Sequence, residues 1–225
     1  MKQEKVRTRK QTALRRLGQL LTVVTIVTVY SGASLFPRQA VGDIAARLDM
    51  EYYKDFIECV YDPTLPETKT ALRYLVDNGQ AMMLCTVKWD LFMGWYDWDW
   101  CKVEVWDDAP LHAGLLSHSK DGQSLHYLFA RIEDERIAEA SLFFDRFSYT
   151  EDGTYIGKAR TGISVPKDAI FRAESGERYL LASVTDALPT DPYDTIRYQE
   201  IHLLGYDRSG TVIADEEVYW TSWGS

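Results

Sequence analysis

The pattern of hydrophobic and polar residues changes twice along the chain. No charged residue occurs from Leu17 to Pro37, and most residues of that run are apolar. Between Asp43 and Tyr61, apolar residues recur every three to five positions, as on one face of an amphipathic helix. From Gln80 onward, short apolar runs alternate with turn residues, which is typical of consecutive β-strands. The pattern therefore predicts helices first and a sheet-rich body after them.

Two helices are predicted ahead of the strands. The first covers Asp43–Tyr61, and Asp43 is placed to cap it. The second follows Pro66 and ends at Gly79, because glycine readily takes the left-handed conformation just after a helix. Residues 37–80 are therefore expected to form a helical connector, and residues 81–225 a β-rich domain.

Nine strands are predicted from the apolar runs of the body. They lie near Ala81–Trp89, Trp98–Trp106, His112–His118, Leu125–Ile132, Ile137–Phe144, Tyr155–Val165, Tyr179–Val184, Tyr198–Tyr206 and Thr211–Tyr219. Turns are predicted at 120–122, 133–135, 151–153 and 207–210, and an irregular loop at 186–195. Gly210 is expected to supply a positive φ, which would make 198–219 a hairpin. The predicted fold class is α+β, mainly β: an N-terminal transmembrane or signal helix, one or two short helices, and an antiparallel β-sandwich-like domain.

The first 16 residues are strongly basic. They carry seven Lys or Arg residues and one acid, Glu4, which gives a net charge of +6. The uncharged run after them is close to the ~20 residues that a helix needs to cross a bilayer. The positive-inside rule then predicts that 1–16 is cytoplasmic, that 17–36 is a transmembrane anchor and that the body lies outside. The alternative is a cleaved signal peptide with its site near Ser31–Gly32–Ala33, which would release the body as a secreted domain.

Residues 37–225 are acidic. Their net charge is −15, against −9 for the whole chain. Binding to nucleic acid needs a Lys/Arg surface that neutralises phosphates, so the sequence predicts no nucleic-acid partner. Because 46% of the residues are hydrophobic and 13% aromatic, the body is expected to bury a core rather than stay disordered.

Few residue patterns that mark a reaction occur in the chain. Cys59, Cys85 and Cys101 allow one disulfide, whose pairing the sequence leaves open. The GxSxG, HExxH, P-loop and GxGxxG signatures are absent. The histidines are not at the spacing of a shared metal site: His112, His118, His126 and His202. The sequence predicts no cofactor and no metal site, and it favours a protein that is not an enzyme.

Two strand-turn-strand segments are similar to parts of small envelope-anchored proteins of Firmicutes. Residues 127–140, YLFARIEDERIAEA, resemble a hairpin in which a strand ending near G-x-[IV] is followed by D-x-x-I. Residues 201–213, IHLLGYDRSGTVI, resemble the terminal A-Y-D-x-x-G-x-[VI]-I of the same proteins. Ala130 stands where those proteins usually have glycine. The resemblance implies a membrane-tethered extracytoplasmic β-domain with no assigned reaction.

The densest chemical feature is an aromatic and acidic segment, in which five of the seven tryptophans fall between Trp89 and Trp106. The candidate ligand-binding residues are Trp95, Tyr96, Asp97, Trp98, Asp99 and Trp100. In a regular strand the even-numbered members would share one face and the odd-numbered members the other. An exposed aromatic row beside carboxylates can stack on sugars or anchor a protein partner, whereas a buried row would be core. At least one of the three tryptophans of this set is expected to be exposed, with Trp89 and Trp106 buried.

Three functions follow from these features. The leading prediction is a membrane-tethered extracytoplasmic domain that acts as a non-catalytic protein-interaction or sensing module. The first alternative is a cell-wall carbohydrate-binding module that uses Trp95, Trp98 and Trp100. The second is an extracytoplasmic hydrolase with Asp97 and Asp99 as its carboxylates, a pair that also spells the DxD of divalent-ion sites. The expected partners are the membrane, through 17–36, and an envelope protein or cell-wall glycan.

Overall fold

The computed structural model describes most of the chain: residues 9–31, 34–50, 56–60, 71–91, 93–105, 109–120, 123–149, 154–185 and 198–224. The α-helices are α1 (Arg9–Ser31) and α2 (Pro37–Arg47). The strands are β1 (Phe56–Val60), β2 (Ala71–Asp77), β3 (Ala81–Asp90), β4 (Gly94–Glu104), β5 (Leu111–Lys120), β6 (Gln123–Ile132), β7 (Glu139–Tyr149), β8 (Tyr155–Ser164), β9 (Ile170–Arg172), β10 (Arg178–Ser183), β11 (Tyr198–Tyr206), β12 (Val212–Glu217) and β13 (Tyr219–Gly224). The prediction of a mainly β protein is confirmed.

The strands form three sheets. Sheet A has the order β1-β2-β3-β4, sheet B the order β13-β5-β6-β10-β9, and sheet C the order β12-β11-β7-β8. Neighbouring strands are antiparallel, as predicted, with one exception: β13 runs parallel to β5. Most strands that are adjacent in a sheet are also consecutive in sequence, as expected when short connections join them.

Sheet B lies between the other two sheets, because its strands bury both of their faces. Leu115 of β5 packs into a core with residues of sheet C, such as Leu203. The next residue, Leu116, packs into a different core with residues of sheet A, such as Leu84. Successive strand residues point to opposite faces, so each inner strand of sheet B supplies alternate side chains to two cores. Helix α2 covers the other face of sheet A, where Ile44 is buried.

The predicted helix Asp43–Tyr61 has the wrong limits. Helix α2 begins at Pro37, whose fixed φ suits the first helical position, and ends at Arg47. Asp43 lies inside the helix and accepts a hydrogen bond from the Ser34 hydroxyl instead of capping the first turn. Downstream, Phe56–Val60 is a strand paired with β2, so sheet pairing overrides the helical spacing there.

The second predicted helix is also wrong, because Ala71–Asp77 is strand β2. Tyr74 packs towards α2 and Leu75 towards sheet B, so both faces of the strand are buried. A strand that is apolar on both faces has no alternating pattern, and a short run of this kind looks like a helix in sequence. Gly79 does have a positive φ, +86°, but it lies in the turn between β2 and β3.

The last predicted strand, Thr211–Tyr219, is two strands in different sheets. Strand β12 ends at Glu217, and β13 begins at Tyr219 beside β5 of sheet B. Val218 between them is buried, and its N–H donates to the carbonyl of Ile201. The chain thus changes sheets at a residue held by the core.

Helix α1 contains the apolar part of the predicted anchor over 17–36, and its apolar side chains such as Leu20 and Ile26 are exposed. Within the described ranges, no helix is long and apolar enough to count as a membrane span, so the predicted transmembrane helix is not supported by the structure. Several other predictions fall outside the described residues, namely Trp106, the glycine-containing turns at 121–122 and 151–153, and the loop at 186–195.

The two segments that carry the family resemblance lie side by side. Their strands β7 and β11 are paired, and the Ala138 N–H donates to the Tyr206 carbonyl at 2.7 Å. Gly205 faces Ile137 so closely that a β-carbon would come 3.0 Å from that side chain.

The predicted hairpin between β11 and β12 is confirmed. Gly210 has a φ of +81°, and its N–H donates to the Asp207 carbonyl. The Asp207 carboxylate also accepts hydrogen bonds from the Ser209 hydroxyl and from the N–H groups of Ser209 and Thr211. These bonds stabilise the turn, and they lower the pKa of the carboxyl, the Ser209 hydroxyl most strongly. A β-branched residue at position 210 would be strained in this conformation.

Replacing Gly210 by valine is expected to lower the free energy of unfolding by about 1–2 kcal/mol, because the left-handed conformation is unfavourable for that side chain. The matched control is Gly157→Val, since Gly157 lies in strand β8 with nothing within 4 Å of an added β-carbon. Urea denaturation of both variants measures the difference. An unchanged midpoint for Gly210→Val would show that the turn does not need glycine.

Candidate functional site

The six candidate residues of the aromatic segment lie on β4, and most of them are only partly accessible. The four aromatic residues are half-buried, Asp97 is exposed and Asp99 is buried. None of Trp95, Trp98 and Trp100 is exposed and Trp89 is half-buried, so the expected division into exposed and buried tryptophans is wrong. The residues do not form an open row of rings.

A β-bulge separates the two carboxylates of the DxD sequence. Thr86 of β3 pairs with Asp99, but the next residue pairs with Asp97, so Trp98 is an extra residue in the ladder. Asp97 accepts a hydrogen bond from Arg47 of helix α2 at 2.7 Å. Asp99 faces sheet B, where it lies 3.5 Å from the His118 ring. The carboxylates therefore point to opposite faces of sheet A and do not converge on one ion or one glycosidic bond.

Trp98 is held between two polar groups. Its indole N–H donates to the Nε2 atom of His118 at 2.8 Å, and the two ring planes meet at 68°. The ammonium group of Lys88 lies 3.7 Å from the centre of the indole ring, in cation–π geometry. Both the edge and one face of this ring therefore have protein partners. The hydrogen bond to His118 links β4 of sheet A to β5 of sheet B.

Polar side chains are buried around Asp99, between sheets A and B. The guanidinium group of Arg73, on β2 of sheet A, lies 3.5 Å from the centre of the Tyr127 ring, on β6 of sheet B. This contact joins the two sheets. Burial raises the pKa of Asp99, while Arg73 and His118 act in the opposite direction. Arg73, Asp99 and His118 are at most 5% exposed, so no substrate-sized molecule reaches them. This cluster is part of the interface between the sheets.

Ser117 and His126 form a pair that the sequence did not reveal. They are directly opposite on β5 and β6, and the Ser117 hydroxyl lies 2.7 Å from Nδ1 of His126. Burial lowers the pKa of His126 to about 4, so its ring is neutral at pH 7. Ser117 is only 6% exposed. The pair satisfies two polar groups at the edge of the core, and its hydroxyl is not presented to a substrate.

Asp145, Glu200 and His202 approach one another on the outer face of sheet C, with ligand atoms within 4.8 Å. Cations already occupy the space between them. Arg160 donates two hydrogen bonds to Asp145, at 2.7 and 2.8 Å, and Lys158 lies within 3.1 Å of both Asp145 and Glu200. The hydrogen bonds from Arg160 lower the pKa of Asp145. The group is an ion-pair network rather than a vacant metal site.

Cys85 and Cys101 are buried free thiols, so neither takes part in a disulfide. Burial raises the pKa of Cys101 to about 11, and it raises that of Cys85 further. Both groups are therefore protonated at neutral pH and are poor nucleophiles or metal ligands.

A groove of about 490 Å³ opens where one edge of each sheet comes together. Its walls come from the edge strands β4, β12 and β13, from β5, and from Leu48 after helix α2. Trp100 and Tyr219 supply aromatic surface, and Tyr219 is 57% exposed. Thr221 of β13 donates a hydrogen bond to the Trp100 carbonyl at 3.1 Å, which fixes the two strands beside each other.

The charged residues of the groove are mostly acidic. The described lining residues include Glu104, Glu216 and Glu217 but only one Lys or Arg, Lys102. Lys102 donates to the Leu48 carbonyl at 3.0 Å and lies 2.7 Å from Glu104. Burial, followed by the charge of Asp215, raises the pKa of Glu216. The groove thus combines aromatic surface with an excess of carboxylates.

Trp100 is the only member of the predicted site that lines this groove among the described residues. The acidic residues and Tyr219 were missed. Their sequence signal is the pair Glu216–Glu217 close to Tyr219 and Trp220, but a continuous predicted strand hid the change of sheet that brings them to Trp100.

Comparison with known protein families finds no match to the chain, and comparison with curated proteins finds none either.

Proposed function

We propose that the protein is a membrane-tethered extracytoplasmic domain that performs no reaction. It binds a partner in the groove where the edges of the three sheets come together. The groove is the observation that carries this proposal, because it is a concave surface with both aromatic and carboxylate groups. The partner is an envelope protein that inserts a Lys- or Arg-containing segment. The family resemblance of residues 127–140 and 201–213 points to the same kind of extracytoplasmic domain.

The chemistry of the groove favours a cationic segment. Three carboxylates against one ammonium group give a negative local field, and the body as a whole carries −15. Aromatic faces attract ammonium and guanidinium groups, so Trp100 and Tyr219 add to the same preference. Glu216 is partly desolvated, and a bound cation would stabilise its charged form.

The arrangement of the other polar groups supports a binding role over a hydrolytic one. Asp97 and Asp99 face opposite sides of sheet A, whereas a glycosidase needs two carboxyls about 5–9 Å apart in one cleft. Ser117 is only 6% exposed, and its hydroxyl lies 2.7 Å from Nδ1 of the half-buried His126. Charge-assisted binding in the groove requires neither pair.

The membrane attachment rests on the N-terminal segment. The +6 prefix precedes an uncharged run, and Leu17, Leu20 and Leu21 of α1 are all more than half exposed. Apolar side chains along a helix without protein cover are stabilised by lipid. The basic prefix stays on the cytoplasmic side, which sends the acidic body outward.

Protease added to intact cells should therefore digest residues 37–225 of the full-length protein. The control is a cytoplasmic protein from the same cells, which must survive until the membrane is permeabilised. Protection of the body in intact cells would contradict this orientation.

Binding in the groove is tested by a calorimetric titration of the full-length protein with an acetylated, amidated trilysine peptide. We expect Glu216→Gln with Glu217→Gln to weaken binding roughly two- to thirtyfold, since each exposed ion pair contributes about 0.2–1 kcal/mol. The matched control is Glu174→Gln with Glu177→Gln, which makes the same charge change in the turn between β9 and β10, at the opposite edge of sheet B.

Equal weakening by both double variants would show that only overall charge matters. Equal binding of trilysine and triglutamate to the unmutated protein would refute the cationic preference itself.

A further inference from the structure

The turn between β3 and β4 carries apolar side chains in open solvent. Leu91 is 78% exposed and Met93 is 49% exposed. The turn is nonetheless ordered from within, because the Asp90 carboxylate accepts a hydrogen bond from the Met93 N–H at 3.2 Å. The side chains at this tip are therefore held outward by a defined backbone.

Two further apolar residues lie beside this tip. Ser34 forms an antiparallel bridge with Trp95, and the Trp95 N–H donates to the Ser34 carbonyl at 2.8 Å. Because this single bridge is antiparallel, Leu35 and Phe36 follow Ser34 in the direction that leads from Trp95 towards Met93 and the turn. Leu35 is 47% and Phe36 68% exposed. We name Leu35, Phe36, Leu91 and Met93 the apolar apex.

Exposed apolar side chains are concentrated at this apex. Outside helix α1, and among the residues whose side-chain exposure the structure describes, Val212 is the only other exposed large side chain without a polar atom. The remaining exposed aromatic residues, Tyr155, Tyr219 and Trp220, each carry a polar group. A cluster of four apolar side chains at one tip costs solvation free energy unless something covers it.

The base of the apex has the composition of a membrane interface. The rings of Trp89 and Trp95 are 5.8 Å apart, and both are half-buried just below the tip. Tryptophan is enriched at the level of lipid headgroups, because its ring is apolar and its N–H is polar. If the tip enters a bilayer, the tryptophan pair lies at the level of the headgroups and the apolar residues beyond it lie among the acyl chains.

The position of the apex in the chain identifies what covers it. The uncharged run that attaches the protein to the membrane extends to Pro37, and Ser34 is already part of the folded body. The apex thus lies within a few residues of the point where the body meets its membrane anchor. A second copy of the body is a poor partner, because each carries a net charge of −15.

We infer that the apolar apex inserts into the outer interface of the bilayer and fixes the orientation of the body on the membrane surface. This inference rests on the proposed membrane attachment. Insertion places the β3–β4 turn and residues 35–36 among the lipids, while the polar faces of the body remain in water. The body would then be held at two nearby points rather than swinging on a single tether.

The test uses full-length protein in vesicles of phosphatidylcholine and phosphatidylglycerol. A nitrobenzoxadiazole label is placed at Leu91→Cys or, as the matched control, at Val212→Cys, which replaces an exposed apolar residue on β12. The unmutated protein, whose Cys85 and Cys101 are buried, reports background labelling. Each sample is first floated with the vesicles and then exposed to lipids that carry a nitroxide near the headgroup end of the acyl chain.

We expect both labelled proteins to float, with loss of fluorescence by the lipid nitroxide at position 91 and not at 212. Flotation without quenching at 91 overturns the apex while leaving the attachment intact. Equal quenching at both positions also overturns it, because the body would then lie flat on the lipid. Failure of both proteins to float overturns the membrane attachment and the apex together.

Discussion

Both faces of the central sheet are buried, and the rest of the structure depends on that constraint. Strands β5 and β6 give alternate side chains to two separate cores, one shared with sheet A and one with sheet C. Gly114 shows how tightly the first of these is filled, since a β-carbon there would lie 2.4 Å from the Phe129 ring and 2.7 Å from Val103. A larger side chain at position 114 would therefore disturb the contact between sheets A and B.

The same constraint decides where polar groups are found. The interior of sheet B has no room for an open reactive site, so His118, Ser117 and His126 sit towards one end of β5 and β6 and are satisfied by neighbours. Accessible carboxylates and aromatic side chains lie instead at the sheet edges, where β4, β12 and β13 line the acidic groove. At the far end of β4, the chain enters from the N-terminal segment and the apolar apex is formed.

The local patterns of the sequence were sufficient for most strands and for the β11–β12 hairpin, because alternating runs and the Asp207–Gly210 turn determine those elements nearby in sequence. They were insufficient for β2, which is apolar on both faces, and for β1, where pairing with β2 overrides the helical spacing. The split of the last strand at Val218 is equally non-local.

The candidate site shows the same division. The aromatic segment was found as a feature, but its geometry depends on a bulge at Trp98 that sends Asp97 and Asp99 to opposite faces, and no short motif marks that bulge. The groove could not be predicted, because Trp100 and Tyr219 meet only after the chain crosses from sheet C to sheet B. The exposure of each tryptophan could not be predicted either, because it depends on how the sheets pack against one another.

The central claim is that sheet B holds sheets A and C together as one cooperative unit. Native-state hydrogen exchange of the full-length protein tests it most directly, strand by strand. We predict that the amides of β5 and β6 exchange slowest, with an opening free energy equal to that of global unfolding in denaturant. Protection of β7 and β11 that persists while β5 and β6 exchange would contradict the claim, because sheet C would then be stable without the central sheet.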